Sequence, residues 1–127
     1  MKLKNLLFIV TAIFLFFGCG PQITSTLYQP KQALSDNQKV ALLDTHHIIP
    51  ENSIKTGQLK FGDNGFSTGC SFKKNCLSAI AHARKIGSNV IKITNHKKPD
   101  LLSSCHRMVF ELYYYEGDVQ SLPQLTL

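Results

Sequence analysis

The sequence predicts an α+β domain in which one helix covers a single face of an antiparallel four-stranded sheet, in the order β-β-α-β-β. Two stretches of the chain carry this prediction. After Ser71, whose side-chain oxygen can cap a helix, apolar residues recur every three or four positions, at Phe72, Cys76, Ala79, Ile80, Ala83 and Ile86. Near the C-terminus apolar residues alternate instead, as in a strand with one buried face, at Met108, Phe110, Leu112 and Tyr114.

The segment from Met1 to Cys19 has the layout of a bacterial export signal. Lys2 and Lys4 precede an apolar run of about a dozen residues that ends before Gly18-Cys19. A membrane-spanning helix needs about twenty residues, so cleavage of the signal (residues 1–18) is favoured over a retained anchor. The last four residues, Phe16-Phe17-Gly18-Cys19, resemble the lipobox of bacterial lipoproteins, which implies that Cys19 begins the mature chain and carries a lipid. An ordinary secretory signal with an incidental Cys19 is the alternative.

Residues 19–38 are predicted to be the lipidated cysteine followed by a flexible tether. This segment is rich in Gln, Ser, Thr and Pro and lacks an apolar period. As a coil it would span about 25 Å, which would lift the domain clear of the lipid headgroups. An extra edge strand around Thr26 to Tyr28 is the alternative. The domain itself is predicted to cover residues 39–116, and residues 117–127 would form a C-terminal tail.

Two strands are predicted before the helix. The first is the apolar run Val40-Ala41-Leu42-Leu43, which must end before Pro50. The second runs from Ile54 to Phe61. Gly62-Asp63-Asn64-Gly65 then has the composition of a turn that leads the chain toward the helix cap.

Two more strands are predicted after the helix. Gly87 provides the left-handed residue that commonly ends a helix, and the chain from Asn89 to Thr94 then places alternate apolar residues on one face. A polar loop at residues 95–104 leads to the last strand, Cys105 to Tyr115, which Gly117-Asp118 ends.

The charge of the chain is mildly basic. Loss of Lys2 and Lys4 with the signal lowers the formal net charge from +6 to +4. The densest basic spot is His96-Lys97-Lys98-Pro99, and no basic segment is interleaved with stacking aromatic residues. The charge therefore indicates a solvated surface, and we expect no nucleic-acid partner.

The cysteines predict a disulfide, because an exported chain enters an oxidising compartment. Cys70 and Cys76 would lie about 9 Å apart along the helix, which is farther than a disulfide tolerates. Cys70 and Cys105 both lie where an element begins, so we predict that they are bonded and that Cys76 remains a buried thiol. A bond between Cys76 and Cys105 is the competing pairing.

Patterns that would support catalysis are weak. The Gly-rich stretch Gly62 to Gly69 precedes a helix, but a phosphate-binding P-loop needs Lys-Ser or Lys-Thr where Cys70-Ser71 stands. The spacing of the acidic residues does not place two of them on one face of a cleft, so paired-carboxylate catalysis is not expected. A metal site could be built from Cys70, Cys105 and one of His96 or His106, although zinc sites usually show closely spaced ligand pairs. We expect no enzyme activity and no cofactor.

Several motifs of the chain resemble a family of small envelope domains. They are Ile54-Lys55-Thr56-Gly57-Gln58-Leu59, the helix end Arg84-Lys85-Ile86-Gly87, the adjoining Ser88-Asn89-Val90-Ile91, and the final strand with its cysteine. They look like the domain of the outer-membrane lipoprotein sensor of the Rcs phosphorelay and like the related YbjQ-type domains. Small lipoproteins of the same shape resemble the chain in Gly65-Phe66-Ser67-Thr68-Gly69-Cys70-Ser71, His96-Lys97-Lys98-Pro99-Asp100 and Ser104-Cys105-His106-Arg107.

The resemblance implies a lipid-anchored binding or sensor-like domain of the bacterial cell envelope, without catalytic activity. Its contacts would be the membrane, through the lipid on Cys19, and another envelope protein. Gly20 follows the cysteine in place of the Asp that often holds lipoproteins at the inner membrane, so the resemblance also implies the outer membrane. The alternative function is a metal- or redox-handling envelope protein that uses Cys70, Cys105 and His96 or His106.

Overall fold

The computed structural model describes residues 20–65 and 67–127, which form a five-stranded mixed sheet with one α-helix on one face. The predicted signal and Cys19 lie outside the described residues. In chain order the elements are β1 (Gln22–Leu27), β2 (Ala41–Leu43), β3 (Ile54–Gly62), α1 (Phe72–Lys85), β4 (Val90–Lys97), β5 (Arg107–Tyr114) and a short 3₁₀ turn (Val119–Ser121). The strand order across the sheet is β1-β3-β5-β4-β2.

The α+β class and the single helix over one face are confirmed, whereas the four-stranded antiparallel sheet is wrong in two respects. A fifth strand, β1, pairs with β3, and β2 pairs with β4 in parallel rather than antiparallel orientation. The other two pairings, β3 with β5 and β4 with β5, are antiparallel. The order β-β-α-β-β therefore describes only the chain from β2 onward.

The parallel pairing of β2 agrees with the burial of this strand on both faces of the sheet. Leu42 packs into the core beneath the helix, while Ala41 and Leu43 pack into a second apolar cluster on the opposite face of the sheet. A strand that is buried on both faces shows a continuous apolar run and no alternation, as parallel strands do. The continuous apolar run of Val40 to Leu43 therefore fits the parallel direction observed, although an antiparallel sheet was predicted.

The main core lies between α1 and the sheet. Phe61 of β3 and Phe110 of β5 meet edge to face with ring centroids 5.3 Å apart. Around them the core is completed by residues from α1 and every strand except β1, among them Leu42, Leu59, Cys76, Ala79, Ala83, Ile91, Ile93, Met108 and Leu112. The helix residues in this core, Cys76, Ala79 and Ala83, are small and fully buried, so α1 can pack directly on the sheet.

The segment between β1 and β2 wraps around the C-terminal end of α1. Backbone N–H groups of Lys31 and Leu34 donate to the carbonyl oxygens of Ile86 and Arg84, each at 2.9 Å. The Arg84 guanidinium in turn donates to three carbonyl oxygens of this segment, those of Ser35, Asp36 and Gln38. With β1, these contacts show that the prediction of a flexible tether is wrong for most of its described length, because its backbone is paired with the domain.

The C-terminal segment also packs against the domain. Val119 and Leu122 contact the second apolar cluster, and the Leu125 N–H donates to the Leu42 carbonyl oxygen at 2.8 Å. The predicted tail therefore covers one end of the sheet face that α1 leaves open.

We predict that replacing Gly87 with Ala destabilises the fold far more than replacing Gly65 with Ala. Both glycines have a positive φ, at 74° and 85°, and a left-handed alanine costs about 1–2 kcal/mol. A Cβ at Gly65 would meet open space, whereas one at Gly87 would lie 2.6 Å from the Lys31 Cβ and closer still to the Gln32 carbonyl oxygen. Urea unfolding should show a loss of about 1 kcal/mol for G65A and about 3 kcal/mol for G87A. Equal losses would show that the 31–32 segment is not held against the helix end.

Candidate functional site

The predicted disulfide between Cys70 and Cys105 is confirmed. Their Cα atoms lie 5.1 Å apart, and the bond joins the residue before the N-cap of α1 to the loop just before β5. Cys76 is a free, buried thiol, so the competing pairing of Cys76 with Cys105 is wrong. Burial raises the pKa of Cys76 to about 11, with a smaller contribution from the charge of Asp44, which keeps this thiol protonated and unreactive.

Hydrogen bonds reinforce the junction that the disulfide makes. The His106 N–H donates to the Cys70 carbonyl oxygen at 3.1 Å. The Asn75 side-chain amide, inside the first turns of α1, donates to the His106 carbonyl oxygen at 2.8 Å. Ser71 caps the helix as predicted, since its Oγ accepts from the Lys74 N–H at 3.3 Å. The start of the helix is therefore held on the start of β5 by covalent and polar contacts together.

His96 and His106 form a pair beside this junction. His96 Nε2 lies 2.8 Å from His106 Nδ1, and the rings stack with centroids 5.1 Å apart. Phe72 packs against both rings, at 5.1 and 6.0 Å. The pairing arises because β4 changes register against β5 between Ile93 and Asn95, which places His96 opposite Met108, on the helix side of the sheet. The sequence indicated either histidine alone as a candidate and not the pair, since the register change has no local sequence signal.

The electrostatics of the pair disfavour a second proton. Burial lowers the pKa of His96, and the neighbouring positive charges of His106 and Lys98 lower it further, against a weaker opposing effect of Asp44. In their hydrogen bond one of the two facing nitrogens donates and the other accepts. The bond therefore requires that only one of these two nitrogens carries a proton. The pair is therefore a polar contact that holds β4 against the start of β5.

An open depression of about 440 Å³ lies next to the disulfide and the histidine pair. It is lined mostly by hydroxyl-bearing and backbone groups, from Ser67, Thr68, Gly69, Cys70, Ser71, Lys74, Pro99, Ser104 and His106. A polar or anionic group of small size fits such a lining, with the Lys74 ammonium as the available positive charge.

The structure brings the predicted metal-site residues into one neighbourhood, but with both sulfurs engaged in the disulfide. The sulfurs of Cys70 and Cys105 are bonded to each other, and no cluster of three or more metal-binding side chains occurs among the described residues. The two imidazole nitrogens are 2.8 Å apart, whereas tetrahedral zinc with Zn–N bonds of about 2.0–2.1 Å needs its ligand atoms about 3.3 Å apart. As it stands, this arrangement accommodates a proton rather than a metal ion.

A second candidate surface is the outer edge of β1, a strand that from the sequence was only the alternative to a flexible tether. All six strand residues are exposed, and the nearby apolar side chains of Ile23, Leu27 and Tyr28 are 43%, 52% and 51% exposed. The Tyr28 N–H donates to the Thr56 carbonyl oxygen at 2.9 Å. Because N–H groups along an antiparallel strand point alternately to either side, those of Ile23, Ser25 and Leu27 point away from β3. The edge therefore presents backbone groups that another strand could pair with.

Comparison of the chain with protein-family models, with curated proteins and with solved structures gives no match. Within residues 20–65 and 67–127, no helix is both long enough and apolar enough to cross a membrane. What the protein does must therefore be inferred from its own geometry.

We predict that removing the disulfide with C70S and C105S together lowers the free energy of unfolding by about 4 kcal/mol, because the bond closes a loop of about 36 residues in the unfolded chain. Urea unfolding without reductant measures this loss. Among Cys70, Cys76 and Cys105, alkylation of the oxidised protein should label only Cys76, and only after denaturation. A C76A variant should keep the bond and serve as the control. A loss below about 1 kcal/mol, or a label on Cys70, would contradict the assignment.

We predict that protonation of the histidine pair lowers the free energy of unfolding when the pH falls. The pKa of His96 is lower in the folded state than its usual value of about 6.5, so the unfolded chain binds more protons as the pH falls through that value. The stabilising effect of a neutral His96 is therefore fully present well above pH 6.5 and is lost as the pH falls below that value and through the lower pKa of the folded state. Replacing His106 with Gln removes one opposing charge and should raise the pKa of His96, as followed by NMR titration of its ring protons.

H46Q is the control for that titration, because His46 is an exposed histidine in another loop. It should leave the pKa of His96 unchanged. A pKa of His96 that stays the same or falls in H106Q would show that the two rings do not interact through charge.

Proposed function

We propose that the protein is a lipid-anchored, non-catalytic domain of the bacterial cell envelope that binds another envelope protein along β1. The observation that carries this proposal is the open edge of β1. Its residues, Gln22–Leu27, include no charge and no proline, yet the whole strand is exposed. Proteins normally protect such edges with charges, prolines or a covering segment, because an open edge is a template for another strand.

Strand addition supplies both affinity and selectivity at an edge of this kind. The outward N–H and C=O groups of Ile23, Ser25 and Leu27 would form backbone hydrogen bonds with an extended segment of the partner. The half-exposed side chains of Ile23 and Leu27 lie on the face that α1 covers, and they offer apolar contacts beside the edge. The Ser25 hydroxyl lies 3.2 Å from His82 Nε2, a contact that holds β1 against the helix.

The position of β1 favours a partner at the membrane. The strand begins three residues after Cys19, and an extended chain covers at most about 3.6 Å per residue. A lipid on Cys19 would therefore hold the start of the open edge, at Gln22, within about 11 Å of its attachment point. The expected partner is a protein in or on the same membrane, which by the lipobox resemblance and Gly20 would be the outer membrane.

We predict that a photoreactive amino acid in place of Leu27 forms one discrete crosslink to an envelope protein in intact cells. Adding S25P should abolish that crosslink, because proline removes an outward N–H while leaving the ladder between β1 and β3 intact. The matched variant S25A loses the same hydroxyl but keeps the N–H, so it should retain the crosslink. Mass spectrometry of the adduct identifies the partner, and an adduct of two copies of this chain would show self-association instead.

Two controls separate edge binding from anchoring. A photoreactive residue at Gln120, which is exposed in the 3₁₀ turn, should give no adduct. Replacing Cys19 with Ala should release the protein from the membrane fraction and reduce the crosslink. A crosslink that survives S25P would contradict binding along β1, and unchanged processing and membrane retention of C19A would contradict the lipid anchor.

The second candidate is metal or redox handling at the junction of the disulfide and the histidine pair. It is favoured by one observation, the closeness of Cys70 and Cys105 to His106 and, through the ring contact, to His96. Reduction would free two sulfurs beside two imidazoles, a donor set suited to zinc. One equivalent of zinc bound only after reduction would favour this candidate over the first.

A further inference from the structure

The two ends of the sheet differ in what they present to solvent. One end, here called the anchor end, is where β1 and β5 begin and where β3 and β4 stop. The strand pairing defines it, since Gln22 lies opposite Gly62, and Lys97 lies opposite Arg107. The loop of residues 98–106 between β4 and β5 therefore projects from the anchor end, and the disulfide places the start of α1 at the same end.

The loop at the anchor end exposes two leucines. Leu101 and Leu102 are 106% and 89% exposed, so both apolar side chains lie almost wholly in water. The turn that presents them is braced by its polar residues. The Asp100 carboxylate accepts from the backbone N–H groups of Leu102 and Ser103 at 2.9 and 3.1 Å, and the Ser103 hydroxyl donates to the carboxylate of Asp63. The fold thus holds the leucine pair outward.

Four lysines lie at the same end of the sheet as the leucine pair. Lys97 and Lys98 precede the loop, and Lys73 and Lys74 lie in the first turn of α1, where an acidic residue would be favoured and none is present. Asp100, at the base of the same loop, is already bound by Arg107 at 2.6 Å. Within the described part of the chain, Lys73, Lys74 and Lys98 form no ion pair. Their ammonium groups are therefore available to an anionic surface.

We propose that the anchor end docks on the membrane, with Leu101 and Leu102 inserted among the lipids and with Lys73, Lys74 and Lys98 in contact with anionic phospholipid headgroups, whereas Lys97 pairs with Asp100 at 3.5 Å. Apolar side chains that enter the headgroup boundary, ringed by lysines at the level of the phosphates, are the pattern of interfacial membrane binding. We assign a membrane as the surface that is bound here because the chain enters the domain at this end. Gly20 begins the described chain at this end and directly follows Gly18-Cys19, before which the apolar run of the predicted export signal ends.

This docking rests on the membrane anchoring in the proposed function but not on a partner at β1. It gives the anchored domain an orientation. With the anchor end on the lipid surface, the strands rise away from the membrane and the outer edge of β1 faces sideways. The edge therefore stays open to a neighbouring protein, and docking and strand addition are compatible.

The experiment uses tryptophan fluorescence, because the chain contains no tryptophan. L102W places a probe in the loop, and E116W places a control probe at an exposed position beyond the end of β5, at the opposite end of the sheet. Each full-length protein is purified from membranes and reconstituted into nanodiscs that contain phosphatidylglycerol or phosphatidylcholine alone, with brominated acyl chains as quenchers. With phosphatidylglycerol, quenching of L102W should be at least about twofold stronger than that of E116W, with a shift of emission to shorter wavelength.

The lysines are tested by adding K73S and K74S to L102W. This variant should lose quenching in phosphatidylglycerol discs and resemble L102W in phosphatidylcholine discs. Equal quenching of L102W and E116W in protein that remains bound to the discs would overturn the docking alone. Failure of the protein to co-purify with the discs would contradict the anchor and the docking together, and equal quenching of L102W in both lipids would overturn the part assigned to the lysines.

Discussion

The pairing of β1 with β3 is the constraint on which this account of the protein depends. It starts at Gln22, opposite Gly62, and continues to Leu27, opposite Gly57. A lipid on Cys19 would therefore be followed almost immediately by sheet, and the domain could not move far from the membrane or turn freely upon it. The same pairing leaves β1 as an edge strand, so in the proposed function one interaction would set both the distance from the membrane and the surface open to a partner.

The helix is fastened at both of its ends, and this is what gives the surfaces their fixed positions. At its start, the disulfide and the polar contacts of Asn75 and His106 hold it to β5. At its end, the Arg84 guanidinium donates to carbonyl oxygens of the segment that leads from β1 to β2, and the same segment packs closely against Gly87. Because that segment continues directly from β1, the helix, the edge strand and the lysines of the first helical turn form one connected arrangement.

The sequence predicted α1 and β5, in which buried and exposed side chains alternate with a regular period. It did not predict β1, which has no such period. α1 and β5 show clear periods, and the disulfide followed from cysteines at the starts of two elements. β1 shows no burial signal because all six of its residues are exposed, and its formation depends on the free edge of β3, which only the folded sheet supplies. The histidine pair depends on the register change after Ile93, which is a long-range property of two strands.

Hydrogen exchange of individual amides, measured by NMR on the protein without a partner, tests the pairing of β1 most directly. We expect an alternating pattern, in which the N–H groups of Gln22, Thr24, Thr26 and Tyr28 face β3 and exchange slowly, whereas those of Ile23, Ser25 and Leu27 exchange fast. Fast exchange at all seven amides would show that this segment is a free tether and would contradict the account.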